Sequence, residues 1–358
     1  MKVLRYASFK EETKYGVKPT HNKGFTAMVD GVAVDTPSGV EIDYATGIGL
    51  ENDVHMPGKY EGGGGNIEQL VFPTTLVYWL KWALGGYTFA GINDGGGYPI
   101  FTHYIYGTNE RLLPSFTMEG GKDYFEHVFL GCSVDSLELT VSTDNGYVKL
   151  NPSITFAKDI KGELKEIDDF MFPLERPLMF YDMRFLFNGE DITDKKIIES
   201  FTLTINNNLQ QNFGIGSRFS KANTTNGREV TWSIEFKNDT DLTFLRSFWG
   251  GGDEPDEEYG AEEIYIEVIL YERVIPGSEL SEKIKIVLPR CILDSVTQQP
   301  SGREEFSNTV TGKAYANNDC IYNYSGDGSA IAKTSIVATI NDFYDSYEVI
   351  GDGDGGDQ

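Results

Sequence analysis

Two stretches of this chain follow the same plan, and an internal repeat constrains a fold more strongly than any single motif does. Residues 72–86 read FPTTLVYWLKWALGG, and residues 236–251 read FKNDTDLTFLRSFWGG. In each, a strand-like run leads into apolar residues at helical spacing, and these end at a pair of glycines. We therefore predict one short amphipathic helix in each stretch, with its apolar stripe packed on a sheet. Aligned on the glycine pair, the stripe residues match as Trp79 with Phe244, Leu80 with Leu245, and Leu84 with Trp249.

Local sequence also predicts where the two helices begin and end. The hydroxyl of Thr74 or Thr75 can cap the first helix by accepting a hydrogen bond from a first-turn amide, and Asp239 or Thr240 can cap the second. Gly85 is predicted to end the first helix in the left-handed conformation. In the second helix, the residues predicted to face inward are Leu242, Leu245, Phe248 and Trp249.

A second repeated motif supports the internal repeat. The run Cys132-Ser-Val-Asp-Ser136 is matched by Cys291-Ile-Leu-Asp-Ser295, and each run follows an apolar stretch. We interpret the chain as two diverged copies of one domain, joined by a charged, irregular linker that begins near residue 158. The predicted parts are a first domain with an N-terminal arm at 1–160, a linker at 161–178, a second domain at 179–316, and an acidic, glycine-rich C-terminal extension at 317–358.

The composition is typical of a β protein with many turns. The 358 residues include 40 glycines, 13% are aromatic, and Val, Ile, Thr, Tyr and Phe recur in short runs broken by Gly, Asn and Asp. We predict a mostly β fold of two tandem β-sandwich or barrel domains, each flanked by one short α-helix. The strands predicted around the two cysteine motifs are Tyr124–Leu130 and Ser133–Val141, then Lys283–Leu288 and Ile292–Val296.

Two polar loops occupy corresponding places in the two copies. Residues 51–66 contain four successive glycines, and residues 206–228 are rich in Asn and Gly. Each precedes the strand that leads into a predicted helix, and both are predicted to be flexible loops. Residues 87–110 are rich in Gly and Tyr, and no strand is assigned to them. The C-terminal GDGDGGDQ is predicted to be disordered.

Several classes of function find no support in the sequence. No apolar run approaches the roughly 20 residues that span a bilayer, and no signal peptide is recognisable. The four histidines are scattered, no Cys-x-x-Cys occurs, and Cys132 and Cys291 are predicted to be buried apolar side chains. We predict no enzymatic activity, no cofactor and no metal. The net charge of −25 argues against binding nucleic acid by neutralising its phosphates.

An ordered set of short motifs resembles the major tail tube proteins of long-tailed bacteriophages, over residues 1 to about 315. These motifs are YASFKEETKYG, LVYWLKWALGG, LPSFTMEGGKDYFEHVFLGCSVDSLELTV and ESFTLTINNNLQQNFGIGS. The family implies a β-sandwich or barrel with one flanking helix, whose copies form a ring around a continuous inner β-barrel. Rings stack into a tube through which DNA passes. Members with two fused copies form trimeric rings of pseudo-six-fold symmetry, and the repeat places this chain in that fused class.

The resemblance also implies partners and a location. The partners are other copies of the chain, the tail tape measure, tail terminator and baseplate or distal tail proteins, and phage DNA that passes without sequence-specific binding. The chain would reside in the virion tail, and in the host cytoplasm during assembly. No membrane partner is implied.

Two groups of residues become candidates for assembly. Glu41, Asp43 and Glu68 are predicted to face an acidic lumen that repels DNA phosphates, and the alternative that they simply face solvent stays open. The two polar loops, the N-terminal arm and the linker are predicted to reach the adjacent ring. The loop residues chosen for that contact are Lys59, Tyr60, Gly63, Asn212, Arg218 and Arg228.

Two other functions remain open at this level. A soluble β-sandwich binding module for carbohydrate or another ligand would use exposed Tyr and Trp to stack on ligand faces. A glycosidase-like enzyme would need a spatial pair of carboxylates, which an Asp- and Glu-rich sequence cannot exclude. A binding module would be monomeric as purified protein, whereas a tube subunit would form rings or polymers.

Overall fold

The structure is a computed structural model that describes residues 5–20, 24–26, 58–64, 67–94, 99–172, 176–237, 242–257, 260–274, 281–299, 307–316, 322–323, 331–332 and 334–342. These residues form a mostly β fold with two α-helices, which confirms the predicted fold class. Within the described residues the sheets do not close into a barrel. The division into tandem domains stays a prediction.

The elements run along the chain in two comparable series. The first comprises β1 (Arg5–Glu11), β2 (Gly24–Thr26), β3 (Gly62–Gly64), β4 (Gln69–Leu70), α1 (Pro73–Leu84), β5 (Gly85–Asp94), β6 (Pro99–Gly107), β7 (Phe116–Lys122), β8 (Phe125–Ser142), β9 (Val148–Phe156), β10 (Lys158–Gly162) and β11 (Phe170–Met171). The second comprises β12 (Arg184–Phe187), β13 (Glu190–Asp191), β14 (Ile197–Asn206), β15 (Leu209–Phe213), β16 (Ser220–Thr225), β17 (Glu229–Lys237), α2 (Thr243–Phe248), β18 (Ile264–Val274), β19 (Ser281–Gln299), β20 (Ser307–Ala314), β21 (Tyr322–Asn323), β22 (Ile331–Ala332) and β23 (Val337–Asp342). Short 3-10 helices occur at Ile167–Asp169 and Phe180–Asp182.

One long strand, β8, belongs to two sheets. Its first part pairs with β7 and β10, and its second part, from Ser133 onward, pairs with β9 and β14. Gly131 lies between the parts with a φ of 67°, and a Cβ added there would lie 2.9 Å from the Cβ of Ala157. Only glycine fits this bend, because it tolerates positive φ and the close approach. The two strands predicted here are therefore one bent strand.

Glu12 holds the bend from the N-terminal side. Its buried carboxylate accepts hydrogen bonds from the backbone N–H of Gly131 at 2.9 Å and of Gly16 at 2.8 Å. The hydroxyls of Ser115 and Thr117 also donate to it, each at 2.8 Å. Four donors satisfy the carboxylate and tie the first turn after β1 to the bend of β8.

The second series repeats this arrangement around β19. The first part of β19 pairs with β18 and β23, and its second part, from Cys291 onward, pairs with β20. The pair β1–β7 beside β8 corresponds to the pair β12–β18 beside β19. The same pairing pattern therefore occurs twice, and the two strands predicted around Cys291 are also one continuous strand. Cys132 and Cys291 are both buried, as predicted.

Two pairings between the strands named above join the two series. The second part of β8 pairs antiparallel with β14, and β23 pairs antiparallel with β6. β5 and β6 form a hairpin within residues that the sequence left unassigned. The segment predicted as an irregular linker also contains strands, since β10 pairs with β8 and β11 pairs with β2. Buried side chains of both series form one continuous core.

Helix α1 packs its aromatic stripe against the first series. Trp79, Leu80 and Leu84 are buried as predicted, and the ring of Trp82 stacks on Phe116 at 4.2 Å. Gly85 ends the helix with a φ of 83°, which confirms the predicted left-handed stop. The predicted threonine caps are wrong. The N-cap is Phe72 without a side-chain cap, and the hydroxyl of Thr75 donates to the carbonyl of Phe72 at 3.2 Å.

Helix α2 is shorter than α1, and fewer of its side chains are buried. Phe244 is fully buried, with ring centroids 4.9 Å from those of both Phe187 and Phe236. Leu245 and Trp249 are half-buried, while Leu242 is exposed, so its predicted inward orientation is wrong. Leu242 is the N-cap residue, with a φ of 54°. It lies before the first helical residue, so its side chain does not belong to the apolar stripe of the helix. The predicted caps Asp239 and Thr240 lie outside the described residues.

The substitution Phe244→Ala is expected to lower the free energy of unfolding by about 3–5 kcal/mol, because it leaves a cavity between two phenylalanine rings. The matched control Leu242→Ala removes an exposed side chain two residues earlier and should change it by less than about 0.5 kcal/mol. Urea unfolding followed by circular dichroism measures both. Equal effects would show that burial of Phe244 does not stabilise the fold.

Candidate assembly site

A seven-stranded antiparallel sheet extends across both series, and we call it the central sheet. Its order is β4, β9, the second part of β8, β14, β17, β20 and the second part of β19. Side chains along each strand alternate between its two faces. One face packs on the core through residues such as Leu139, Leu203, Trp232 and Val310, all of which are buried.

The other face of the central sheet is polar. A row of five half-buried hydroxyl side chains crosses neighbouring strands in register, formed by Thr140, Thr202, Ser233, Thr311 and Ser295. The hydroxyls of Ser295 and Thr311 are 2.8 Å apart and hydrogen-bonded. We call this the hydroxyl row. Hydroxyl groups are polar but uncharged, so the row itself carries no fixed charge.

Charges on the polar face lie to either side of the hydroxyl row. Glu68 pairs with Lys149, so its carboxylate has a cationic neighbour. Glu138 and Glu235 are exposed, and the hydroxyl of Ser200 donates to Glu235 at 3.0 Å. Of the three predicted lumen acids, Glu68 is described and lies on this face. The other two, Glu41 and Asp43, lie outside the described residues, and a lumen role for all three stays a prediction.

The junction between β8 and β14 ends at a bulge. The register between β8 and β9 shifts between Val134 and Ser136, which leaves Asp135 as the extra residue. The carbonyl of Asp135 accepts a hydrogen bond from the backbone N–H of Asn207 at 2.7 Å, and its carboxylate accepts one from the N–H of Leu209 at 2.8 Å. A single bulged aspartate therefore binds the chain that leaves β14.

Polar residues beyond β14 cap the helix of the first series. The side-chain amide of Asn207 donates to the carbonyl of Ala83 at 2.9 Å, and Arg228 donates through Nη2 to the carbonyl of Leu84 at 3.0 Å. Arg228 also donates through Nε to Asn207 Oδ1 at 3.0 Å. The last carbonyls of a helix have no intrahelical donor, so these contacts satisfy them. Burial lowers the pKa of Arg228 to about 10, at which it is still charged at neutral pH.

The predicted flexible loop at residues 206–228 is mostly a β-hairpin, formed by β15 and β16. Asn212 donates across it to Thr224 Oγ1 at 2.8 Å. At its turn, Ile215 lies between two glycines and its side chain is fully exposed, at 104% of the reference area. Single exposed apolar side chains are common on protein surfaces, and this one lies at the tip of a hairpin, where a neighbouring molecule could reach it.

The two predicted ring–ring loops contact each other inside one chain. The backbone N–H of Tyr60 donates to the carbonyl of Arg218 at 2.9 Å, and Arg218 Nε donates to the carbonyl of Gly58 at 2.9 Å. Lys59 lies 5.0 Å from the ring centroid of Phe213. Gly63 pairs with β9, and Arg228 lies at the helix cap. Contact of these residues with an adjacent ring stays a prediction.

The N-terminal arm is bound to its own chain from residue 5 to residue 18. Glu119 is fully buried, and the Nζ atoms of Lys18, Lys165 and Lys10 lie 2.9, 3.5 and 3.6 Å from its carboxylate. Burial alone would raise the pKa of Glu119, but the three lysines hold it below its ordinary value. A buried carboxylate with several cationic partners fixes the arm against β7.

The features expected of a ligand-binding module or a metal site are weak in the described part of the chain. Trp79, Trp82 and Trp232 are buried, so three of the four tryptophans cannot stack on a ligand. Across the same residues, no group of three or more His, Cys, Asp or Glu is arranged to hold a metal ion. No described helix is long and apolar enough to cross a membrane.

Sequence reasoning missed several residues of this site. The Cys-x-x-Asp-Ser motif recurs in the sequence, but nothing in the sequence marks its aspartate as a bulge. The hydroxyl row was encoded by alternation in SFTLTIN and EVTWSIEF, where Thr and Ser alternate with large apolar residues. No sequence pattern indicates the roles of Asn207 and Ile215. The role of Asn207 depends on its hydrogen-bond partners and that of Ile215 on its exposure, and both are set by the fold.

The substitution Asn207→Ala is expected to lower the free energy of unfolding by at least about 2 kcal/mol, because it removes the donor to the carbonyls of Ala83 and Val134 and the acceptor of Arg228 Nε. The control Asn226→Ala removes an exposed amide near the same hairpin and should cost less than about 0.5 kcal/mol. Thermal unfolding of both variants checks this. A negligible effect at Asn207 would show that the junction does not stabilise the chain.

Comparison with known proteins supplies the identity of the fold. The family described as phage tail tube protein matches residues 4–254, which is more than half of the chain. That range includes β1, both helices and the β8–β14 junction. No curated protein matches the chain. The chain therefore belongs to the phage tail tube protein family and is a structural protein of the virion tail.

Proposed function

We propose that this chain is the major subunit of the tail tube and that three copies close into a ring of pseudo-six-fold symmetry. The observation that carries this proposal is the β8–β14 junction, where one series of strands joins the next edge to edge. The pairing pattern occurs twice, which supports two fused copies of one tube domain. The boundaries 1–160, 161–178, 179–316 and 317–358 belong to the same proposal.

The second series ends in an open sheet edge that matches the first. The second part of β19 corresponds to the second part of β8, and among the described residues no strand pairs with its far edge. The partner of β8 at that edge is β14. By the repeat, the partner of β19 is the stretch Gly39–Leu50 of a second copy. Its sequence predicts a half-buried strand, because Val40, Ile42 and Tyr44 alternate with Glu41 and Asp43. Head-to-tail contacts of this kind close into a ring when the rotation closes.

Ring closure directs the polar face of the central sheet toward the lumen. The apolar face is occupied by the core, so the hydroxyl row, Glu138 and Glu235 line the conduit together with the predicted Glu41, Asp43 and Glu68. At −25 per chain, a trimer carries about −75. The lysines on the described part of this face, such as Lys149 and Lys313, are paired with Glu68 and Glu229, so they offer DNA no unpaired cation and it passes without sequence-specific binding.

Stacking of rings needs contacts along the tube axis, and the ordered hairpin supplies one. β15 and β16 leave the end of the central sheet at which β14 ends and β17 begins. Its fully exposed Ile215 is proposed to dock on the next ring, together with Lys59, Tyr60, Gly63, Asn212 and Arg218 nearby. At its ends, the tube meets the tape measure, the terminator and the baseplate or distal tail proteins.

Negative-stain electron microscopy and light scattering of the purified full chain test the proposal. Rings with three-fold symmetry, or tubes built from them, are expected as the concentration rises. A chain that stays monomeric at every concentration and salt, and that is missing from phage particles, would overturn it. Such a monomer with ligand affinity would support the binding-module alternative.

The substitution Ile215→Asp is expected to prevent tube elongation while leaving single rings and Tm unchanged, because the side chain has no contact in its own chain to lose. Asn226→Asp adds the same charge on an exposed position near the hairpin base and serves as the control. Sedimentation separates rings from tubes. Normal tubes from Ile215→Asp would contradict the axial role of the hairpin.

A further inference from the structure

We infer that Asp294 is a docking residue for a second copy of this chain, at which the bulge of β19 binds the backbone that leaves the neighbouring edge strand. The inference rests on the proposed ring. It goes beyond it by assigning one residue, and one pair of hydrogen bonds, to the contact between copies.

The template is the junction inside the chain. Asp135 is bulged opposite β9, and it presents two acceptors toward β14. Its carbonyl binds the N–H of Asn207 at 2.7 Å, and its carboxylate binds the N–H of Leu209 at 2.8 Å. These bonds continue the β8–β14 ladder beyond Asn206, where regular pairing stops. The aspartate thereby satisfies two amides that would otherwise lack acceptors at the end of a strand.

Asp294 has the same setting in β19. The register between β19 and β20 shifts between Leu293 and Ser295, which makes Asp294 the extra residue, as Asp135 is in β8. Three residues before each aspartate stands a buried cysteine whose thiol donates to the carbonyl three residues earlier, at 3.4 Å from Cys132 and at 3.9 Å from Cys291. The local backbone is therefore repeated along with the sequence motif.

The two aspartates differ in whether other parts of the chain cover them. Asp135 is half-buried by the chain beyond β14, whereas Asp294 is exposed. Among the described residues, the edge of β19 from Asp294 to Gln299 pairs on the β20 side alone. Its sequence, DSVTQQ, has no lysine and no proline, which are the residues that normally protect an exposed edge from pairing. An edge of this kind is suited to accept another strand.

The occupant is a second copy, through the stretch Gly39–Leu50 and the residues that follow it. This stretch holds the place in the first half that β14 holds in the second, before a polar loop and a helix-entering strand. A carboxylate accepting from a backbone N–H forms a charge-assisted hydrogen bond, which is stronger than one between neutral groups. Asp294 would thus fix the register of the added strand as well as its affinity.

The test compares Asp294→Ala with two controls in the full-length chain. Glu257→Ala removes an equal charge from an exposed loop, and Asp135→Ala removes the matching acceptor inside the chain. Asp294→Ala is expected to raise the concentration at which half of the protein is assembled by about tenfold, with an unchanged monomer Tm. Glu257→Ala should change neither, and Asp135→Ala should lower the monomer Tm. Asp294→Asn, which keeps an acceptor oxygen without the charge, should give an intermediate assembly concentration.

Two results would overturn the inference while leaving the proposed ring intact. One is Asp294→Ala assembling at the wild-type concentration. The other is Asp294→Ala lowering the monomer Tm as Asp135→Ala does, since Asp294 would then serve its own fold. If the wild-type chain forms no ring at any concentration, the proposed function itself fails. Light scattering and analytical ultracentrifugation measure assembly, and thermal unfolding measures the monomer Tm, so the three cases can be distinguished.

Discussion

The bend of β8 at Gly131 is the constraint on which the rest of the structure depends. A strand can serve two sheets only if the backbone groups at the bend stay satisfied, because a buried amide without an acceptor is costly. Here the N–H of Gly131 donates to Glu12, and Asp135 at the bulge accepts hydrogen bonds from the N–H groups of Asn207 and Leu209 beyond β14. The first part of β8 then packs beside β7 and β10, while its second part carries β9 and β14.

The bend also explains why the two halves of the chain are coupled. The second half supplies Asn207 and Arg228 to the end of α1, and β23 returns from near the C-terminus to pair with β6. One continuous core lies beneath both. A repeat of this kind uses the same edge contact that a ring of separate domains would use between subunits, so the internal junction serves as the template for the proposed contact between copies.

A one-sided sheet suits a conduit. The face that packs on the core requires a large apolar residue at every second position of each strand. The opposite face is not constrained by the core and carries hydroxyls and paired charges. The hydroxyl row runs across five strands from both halves, so the chemical character of that face is continuous through the β8–β14 junction. This face suits the proposed conduit of a chain that belongs to the phage tail tube family.

Local sequence by itself determined the mostly β class, both helices, the buried stripe of Trp79, Leu80 and Leu84, and the two buried cysteines, since periodicity and glycine stops act within a few residues. Its motifs also indicated the tail tube family. Only the tertiary structure decided that the hairpin β5–β6 exists, that residues 206–228 form a hairpin packed on Tyr60, and that Asp135 is a bulge. Alternation tells which face a residue occupies, but it does not name the strand beside it. Some of these partners, such as Tyr60 and Arg218, lie more than a hundred residues apart in sequence. Hydrogen bonds between their backbones form only once the chain has folded.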